Sequence, residues 1–192
     1  MNAALRALAA GGVIALLSAC ASTPVAPPER SYSGRFAATA TRGSETQNVS
    51  GRFSLEVRGT EQVFDLATPI GTTIARVEIG PNGARARGPQ LDEVRGDNAD
   101  ALAERLLGWP LPVGGLADWI EGRPVPGRPA RVERIDGRVA SIVQDGWTIQ
   151  VAESFEAVNQ VAPRRPRRLV IERPASGPDP AVTVRLILDD PV

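Results

Sequence analysis

The chain has no histidine, no lysine and a single cysteine, Cys20; all 22 of its basic residues are arginine. Each absence removes a class of chemistry. Without histidine there is no Ser-His or Cys-His nucleophile pair and no imidazole metal site. Without lysine there is no Schiff base and no phosphate-binding Walker lysine. One cysteine excludes an internal disulfide, a thiolate zinc site and a CxxC redox pair. What remains is carboxylate, hydroxyl and guanidinium chemistry, so neither an enzyme nor a cofactor is expected. Aromatics are sparse as well: four Phe, three Trp and one Tyr in 192 residues.

The charges balance at zero, and residues 1–19 hold one Arg and no acid, so removing them leaves 21 Arg against 22 acids, a net charge of −1. Such a domain has no general attraction for nucleic acid, which usually requires a basic face. The one basic run is Arg164-Arg165-Pro166-Arg167-Arg168. It reads either as a solvated loop entering a strand or as a contact for anionic lipid headgroups, worth on the order of 1 kcal/mol per Arg.

What is present at the N-terminus is more specific. Met1–Gly12 carries one charge, Arg6, and is followed by the apolar run Val13–Leu17. This is the form of a signal peptide, too short for a mature membrane span. The next residues, Leu17-Ser18-Ala19-Cys20, resemble the bacterial lipobox. That resemblance implies that residues 1–19 are cleaved and that Cys20 is acylated. At roughly 0.8 kcal/mol per buried methylene, the acyl chains hold such a protein in the bilayer essentially permanently. Ala21 stands where Asp would signal retention in an inner membrane, so resemblance to sorted lipoproteins implies the outer membrane. Residues 20–31 form the lipidated cysteine and a Pro/Ala-rich tether, and a single folded domain is expected over 32–192.

Within that domain the dominant period is two. Phe53-Ser-Leu55-Glu-Val57, Trp147-Thr-Ile149-Gln-Val151 and Val182-Thr-Val184-Arg-Leu186 all alternate apolar and polar, the signature of antiparallel strands with one dry face. Asn82-Gly83, Asp136-Gly137 and Asp145-Gly146 supply hairpin turns. About eleven strands are predicted, near 33–40, 48–57, 61–67, 73–79, 83–88, 90–94, 130–135, 138–144, 146–152, 167–173 and 181–188. The pattern breaks once. Asp97–Asp100 offers a cap and early acids to a short helix whose apolar positions Ala99, Leu102, Ala103, Leu106 and Leu107 follow helical spacing. A second short helix is predicted over 115–121. Strands, two short helices and more strands make a strongly curved antiparallel sheet with helices over its apolar concave face. Two helices are a thin cover, so either the sheet fills its own interior or an apolar cavity remains; the scarcity of aromatics favours the cavity.

Several segments then match a known family in order: Gly51-Arg52-Phe53; Phe64-Asp-Leu66-Ala-Thr68-Pro69-Ile70-Gly71; Leu107-Gly-Trp-Pro-Leu-Pro-Val113, continuing to Leu116-Ala-Asp-Trp119-Ile-Glu-Gly122; and Gln144-Asp-Gly-Trp147. Together with the lipobox, they resemble the LolB family over nearly the whole mature chain. The resemblance implies an incompletely closed antiparallel β-barrel of about eleven strands with helices over its mouth. It also implies an activity: accepting lipoproteins from a periplasmic LolA-type carrier and inserting their acyl chains into the outer membrane, without nucleotide. The implied partners are that carrier, the lipoprotein cargo and outer-membrane lipid held through Cys20, with the domain facing the periplasm. A monomer is expected.

The family projects a hydrophobic residue from the loop after its third strand. The matching segment is Thr68-Pro69-Ile70-Gly71, where Ile70 takes the place of the more usual Leu. By residue type alone Ile70 would tuck into the core; the resemblance implies that it points outward to insert into membrane. Candidates for the acyl-chain cavity are Phe36, Phe53, Leu55, Phe64, Leu66, Leu106, Leu116, Trp119 and Trp147, each of which could equally be ordinary core. The chain departs from the family pattern at Ser54 and Leu55, where aromatics are frequent, and lacks the usual Trp near the C-terminal strand, so an aliphatic lining is expected.

Two other classes of function compete. The same cavity could serve a lipoprotein that carries or stores free lipids. A glycosidase would need two carboxylates, and Asp65, Asp118 and Glu121 are available, but Asp118 and Glu121 stand three apart on a helix rim, where solvated acids are ordinary. Asn48-Val49-Ser50 matches a glycosylation sequon by chance.

Overall fold

The computed structural model describes residues 27–156 and 165–190. Cys20, the segment before it and most of the tether lie outside the described residues, as does Arg164. Eleven strands form one antiparallel sheet: β1 (Arg30–Arg42), β2 (Glu45–Arg58), β3 (Glu61–Ala67), β4 (Thr73–Gly80), β5 (Gly83–Gly88), β6 (Leu91–Gly96), β7 (Ala130–Ile135), β8 (Arg138–Gln144), β9 (Trp147–Ser154), β10 (Pro166–Arg173) and β11 (Ala181–Leu188). The spatial order is β6-β5-β4-β3-β2-β1-β11-β10-β9-β8-β7. Nearest neighbours in sequence are therefore nearest neighbours in space, with two exceptions. β1 pairs with β11 in the middle, and β6 and β7, consecutive in the chain, are the two free edges. The sheet is not closed.

Alternation sets which face is dry. Tyr32, Leu55, Phe64, Val77 and Ala86 are directly paired across five strands, so their side chains share the inner face. The other half is built likewise, with Phe36 opposite Leu186 and Leu186 opposite Leu169. The outer face carries charges: Arg76 grips Asp65 with two hydrogen bonds of 2.6 Å, and Glu78 takes both Arg85 and Arg87. These exposed pairs are each worth about 0–1 kcal/mol and serve mainly to keep that face wet.

The two longest strands, β1 and β2, run well past the predicted 33–40 and 48–57. Their extra length is a hairpin turning at Gly43 (φ 60°). Residues 45–48 on it are exposed on both faces, so no apolar alternation marks them as strand.

Residues 97–129 connect the two edges and supply both helices found among the described residues, α1 (Ala99–Leu107) and α2 (Leu116–Trp119). Asn98 caps α1 by accepting from the Ala101 amide at 2.9 Å, and Gly108 ends it in the left-handed region at φ 78°. α1 lies on β5 and β6, where Ala84 and Ala86 face Ala99 and Leu102. Alanine on the strand is what lets a helix approach this closely. Arg105 donates to the Arg95 carbonyl at 2.9 Å, so α1 also covers the β6 edge. The β7 edge instead presents Arg131, Glu133 and Arg134 to solvent, which discourages strand pairing with another chain. α2 is a single turn, shorter than the predicted 115–121. A Cβ on Gly115 would come within 2.6 Å of the Trp119 ring, so only glycine there lets the indole fold back under the turn.

One buried amide ties this cover to the sheet. Gln144, at the end of β8, is 1% exposed. Its Oε1 accepts from Trp119 Nε1 at 3.0 Å and from the Val125 amide at 2.8 Å, and its Nε2 donates to the carbonyls of Val125 at 3.0 Å and Arg128 at 3.4 Å. Gln144→Leu keeps the volume but leaves these partners buried without a bond. The variant is expected to lose roughly 2–4 kcal/mol of stability, measured as a fall in the urea midpoint; an unchanged midpoint would show that the staple is dispensable.

Candidate functional site

Between the inner face of β1–β4 and β11 and the helical cover lies a cavity of about 680 Å³, within the range of roughly 300–1,000 Å³ usual for small-ligand pockets. Its walls are almost wholly apolar. The sheet contributes Phe36, Val49, Phe53, Phe64, Leu66, Val77, Val184 and Leu186, and the cover contributes Leu102, Ala103, Leu106, Leu107, Leu111, Val113 and Leu116. Phe53 and Phe64 meet with ring centroids 6.5 Å apart, leaving an aromatic floor rather than a filled centre.

Of the nine residues predicted for a cavity wall, the structure brings Phe36, Phe53, Phe64, Leu66, Leu106 and Leu116 to this one. Leu55, Trp119 and Trp147 are not on it and belong to packed core. Leu55 has no exposure and sits between Tyr32 and Phe64 in the strand ladder. Trp119 is turned onto Gln144. Trp147 lies on β9, with the Arg173 guanidinium 5.8 Å from its ring centre. The wall residues that were not predicted include Leu102 and Ala103, on the same helix face as Leu106, and Val184 and Leu186, in register with Ala38 and Phe36. Their periodicity was visible, but which inward residues border space and which border other side chains is decided by where the cover lands.

The loop from β3 to β4 stands at the rim of the cavity. It is closed by three bonds: the Thr68 amide to the Thr72 carbonyl at 2.8 Å, the Gly71 amide to the Thr68 carbonyl at 2.9 Å, and the Thr72 amide to Thr68 Oγ1 at 3.0 Å. Pro69 fixes one φ, and Gly71 takes a φ of 94° that a branched residue would resist. The side chain at the tip, Ile70, has nowhere to turn but outward and is 92% exposed. Thr68, Thr72, Thr73 and Ile74, on either side of it, all line the cavity. Leu106, 38% exposed on α1, is on the lining too.

The cover is held by polar contacts away from this rim. Trp109 Nε1 donates to Gln47 Oε1 at 3.0 Å, and the Gly114 amide donates to Asp100 Oδ1 at 2.7 Å. Burial pushes the Asp100 carboxyl above its ordinary range, partly offset by that amide. Tyr32 donates to Glu121 Oε1 at 2.6 Å, and the Arg165 guanidinium is 3.5 Å from the same oxygen. The three carboxylates considered for catalysis do not converge: Asp65 is on the outer face with Arg76, Asp118 binds Arg123 at 3.1 Å, and Glu121 binds Tyr32. Among the described residues, no group of three or more His, Cys, Asp or Glu could hold a metal.

Fold and cavity together define an open antiparallel sheet that keeps an apolar hollow beneath a short helical cover, with Ile70 displayed at its rim and Ile74 and Leu106 partly exposed beside it. A family model described as outer membrane lipoprotein LolB matches residues 29–190, and the chain belongs to that family. It is similar to the outer-membrane lipoprotein LolB of Cupriavidus pinatubonensis, 38% identical over 203 residues that cover 98% of this chain and 96% of the relative. The LolB of Ralstonia nicotianae is also 38% identical, over 97% and 96%. Among solved structures, a LolA superfamily protein from Nitrosomonas europaea aligns with a TM-score of 0.46 at 10% identity, covering 85% of this chain and 86% of that one.

Tyr32 is the only tyrosine in the chain, so its titration can be read directly. Burial, then the bond to Glu121 and that carboxylate's charge, raise its pKa from 10.0 to about 12. The folded state therefore holds this proton more tightly than the unfolded chain. The resulting stabilisation is full below pH 10 and is lost as pH rises through 12. The phenolate absorbance of the native protein should have its midpoint near 12, and Tyr32→Phe should flatten the alkaline decline in stability; a midpoint at 10.0 in folded protein would contradict the burial.

Proposed function

We propose that the protein accepts lipoproteins from a periplasmic LolA-type carrier, holds their acyl chains against the apolar cavity wall and inserts them into the outer membrane. Anchored through an acylated Cys20, the domain faces the periplasm and works as a monomer without nucleotide or catalysis. The observation that carries this reading is the juxtaposition of an apolar cavity with an outward Ile70 on its rim.

The energetics favour exchange between dry environments. Acyl chains of about sixteen carbons cost tens of kcal/mol in water, at roughly 0.8 kcal/mol per methylene. No route through solvent is open to such cargo. A cavity that contacts the bilayer at its own rim lets chains pass from protein wall to lipid without crossing water. Burying Ile70 in lipid contributes roughly 1.5–3 kcal/mol, too little to drive transfer and enough to orient the rim toward the membrane. The competing reading, carriage of free lipid, uses the same wall and is separated by whether a LolA-type carrier hands over protein cargo in a mixing assay.

Ile70→Glu places a charge where the side chain is already in solvent, so the variant is expected to fold with an unchanged melting temperature. It should take cargo from the carrier at the normal rate and fail to release it into outer-membrane vesicles. Normal insertion by this variant would remove the loop from the mechanism.

A further inference from the structure

The cavity wall is chemically lopsided. Its polar lining side chains are Thr68, Thr72, Thr73 and Gln90, and all four come from the β3–β4 loop with the start of β4 and from the β5–β6 turn. These two connections are neighbours, since β4 pairs with β5 and a Cβ on Gly88 would meet the Ile74 carbonyl. The far wall includes Val184 and Leu186 on β11, four strands from β4, or about 19 Å measured along the sheet. Thr68 uses its hydroxyl to hold the loop. Thr72, Thr73 and Gln90 are exposed, and their side chains have no hydrogen-bond partner among the described residues.

An apolar hollow with hydroxyl and amide donors confined to one rim matches an amphiphile with hydrocarbon at one end and acceptors at the other. We propose that Thr72, Thr73 and Gln90 receive the glycerol-ester carbonyls of a diacylglyceryl group, so that an acylated cysteine sits at the mouth with its chains running toward β11. This rests on the acyl-binding reading above and adds to it an orientation and a set of specificity residues. A threonine O–H and a glutamine N–H can donate and an ester carbonyl can only accept, so a plain hydrocarbon gains nothing from the rim. The orientation also sets the order of release. With Ile70 in lipid, the ester groups stand at the level of the bilayer interface and reach it before the tails leave the wall.

The test is photocrosslinking to the full lipidated chain in phospholipid nanodiscs. A triacylated cysteinyl lipopeptide carries a diazirine either beside an ester carbonyl or at a chain terminus. The first probe should label residues 72–74 and 89–91, and the second should label the Val184–Leu186 wall. Thr73→Val with Gln90→Leu, similar in volume, should lower labelling by the ester-proximal probe by about three- to tenfold at limiting concentration. An ester-free alkyl diazirine should label this variant as well as it labels the wild type. An inverted labelling pattern, an equal loss with the ester-free probe, or no loss with either would overturn the inference while leaving acyl binding intact. Absence of wild-type labelling by every probe would remove the acyl-binding reading itself. A diazirine phosphatidylglycerol identifies the source of the esters: rim labelling by the lipopeptide alone or by both supports ester recognition, and labelling by neither overturns it.

Discussion

The structure depends on how an apolar sheet face that does not close on itself is kept out of water. Eleven strands present one dry surface, and the chain leaves β6 at one free edge only to resume as β7 at the other. Whatever joins those edges must cross the open side. Residues 97–129 make that crossing, and the buried Gln144 amide fastens its second half by satisfying a tryptophan N–H and three backbone groups at once. A side chain with two donors and two acceptors is suited to this place because these four groups would otherwise be left unpaired.

The two halves of the crossing are attached differently, and the difference locates the hollow. Near Trp119 the cover is hydrogen-bonded to β8 and packed against Ile142, Ile149 and Leu169, which have no exposure. Near α1 the contact is alanine against alanine and leucine, with Leu106 and Leu107 extending past it over open space. A sheet surface of small residues holds the helix close at its start, while farther along Leu106 borders the cavity and Leu107 both borders it and packs on the main core. The cavity follows from that contrast between a rigid seat and a roof with few aromatics beneath it.

Much of this was legible in the sequence because it depends on period and punctuation. Most of the eleven strands follow alternation and Gly-containing turns, although the start of β2 and the bulged β6, Leu91-Asp-Glu-Val94, do not alternate, and α1 follows its Asn98 cap and 3.6-residue spacing. The outward loop rested on resemblance, since Pro69 and Gly71 allow a tight turn but do not say which way Ile70 faces. The division of inward residues between wall and core was not legible at all. Leu55 and Phe53 are two apart on one strand face, yet only Phe53 borders the cavity. That distinction depends on the landing point of the cover, which is fixed by long-range bonds such as Trp109 to Gln47, 62 residues apart. Gln144 was visible as part of a motif, but nothing local signals that a glutamine at a strand end will be the most buried polar side chain described.

A wall of this composition also limits how tightly cargo can be held. Dispersion and area burial scale with the surface covered, and a cavity left open along a rim cannot enclose a long chain on all sides as a bilayer does. On the proposed function an acyl chain gains by moving from wall to lipid wherever the two are in contact, so that reading calls for no chemical energy beyond that difference. What the protein would have to supply, on that function, is contact without an intervening layer of water. On that reading, a small apolar display led by Ile70, on a loop stiffened by proline, glycine and three hydrogen bonds, serves better than a large apolar patch, because a patch of several hundred Å² would bind other surfaces as readily as the intended one. The prominent display of Ile70 and the larger apolar surface set back behind it fit the same constraint on the proposed function: most of the surface that handles hydrocarbon is recessed from other surfaces, and only the rim is presented to lipid.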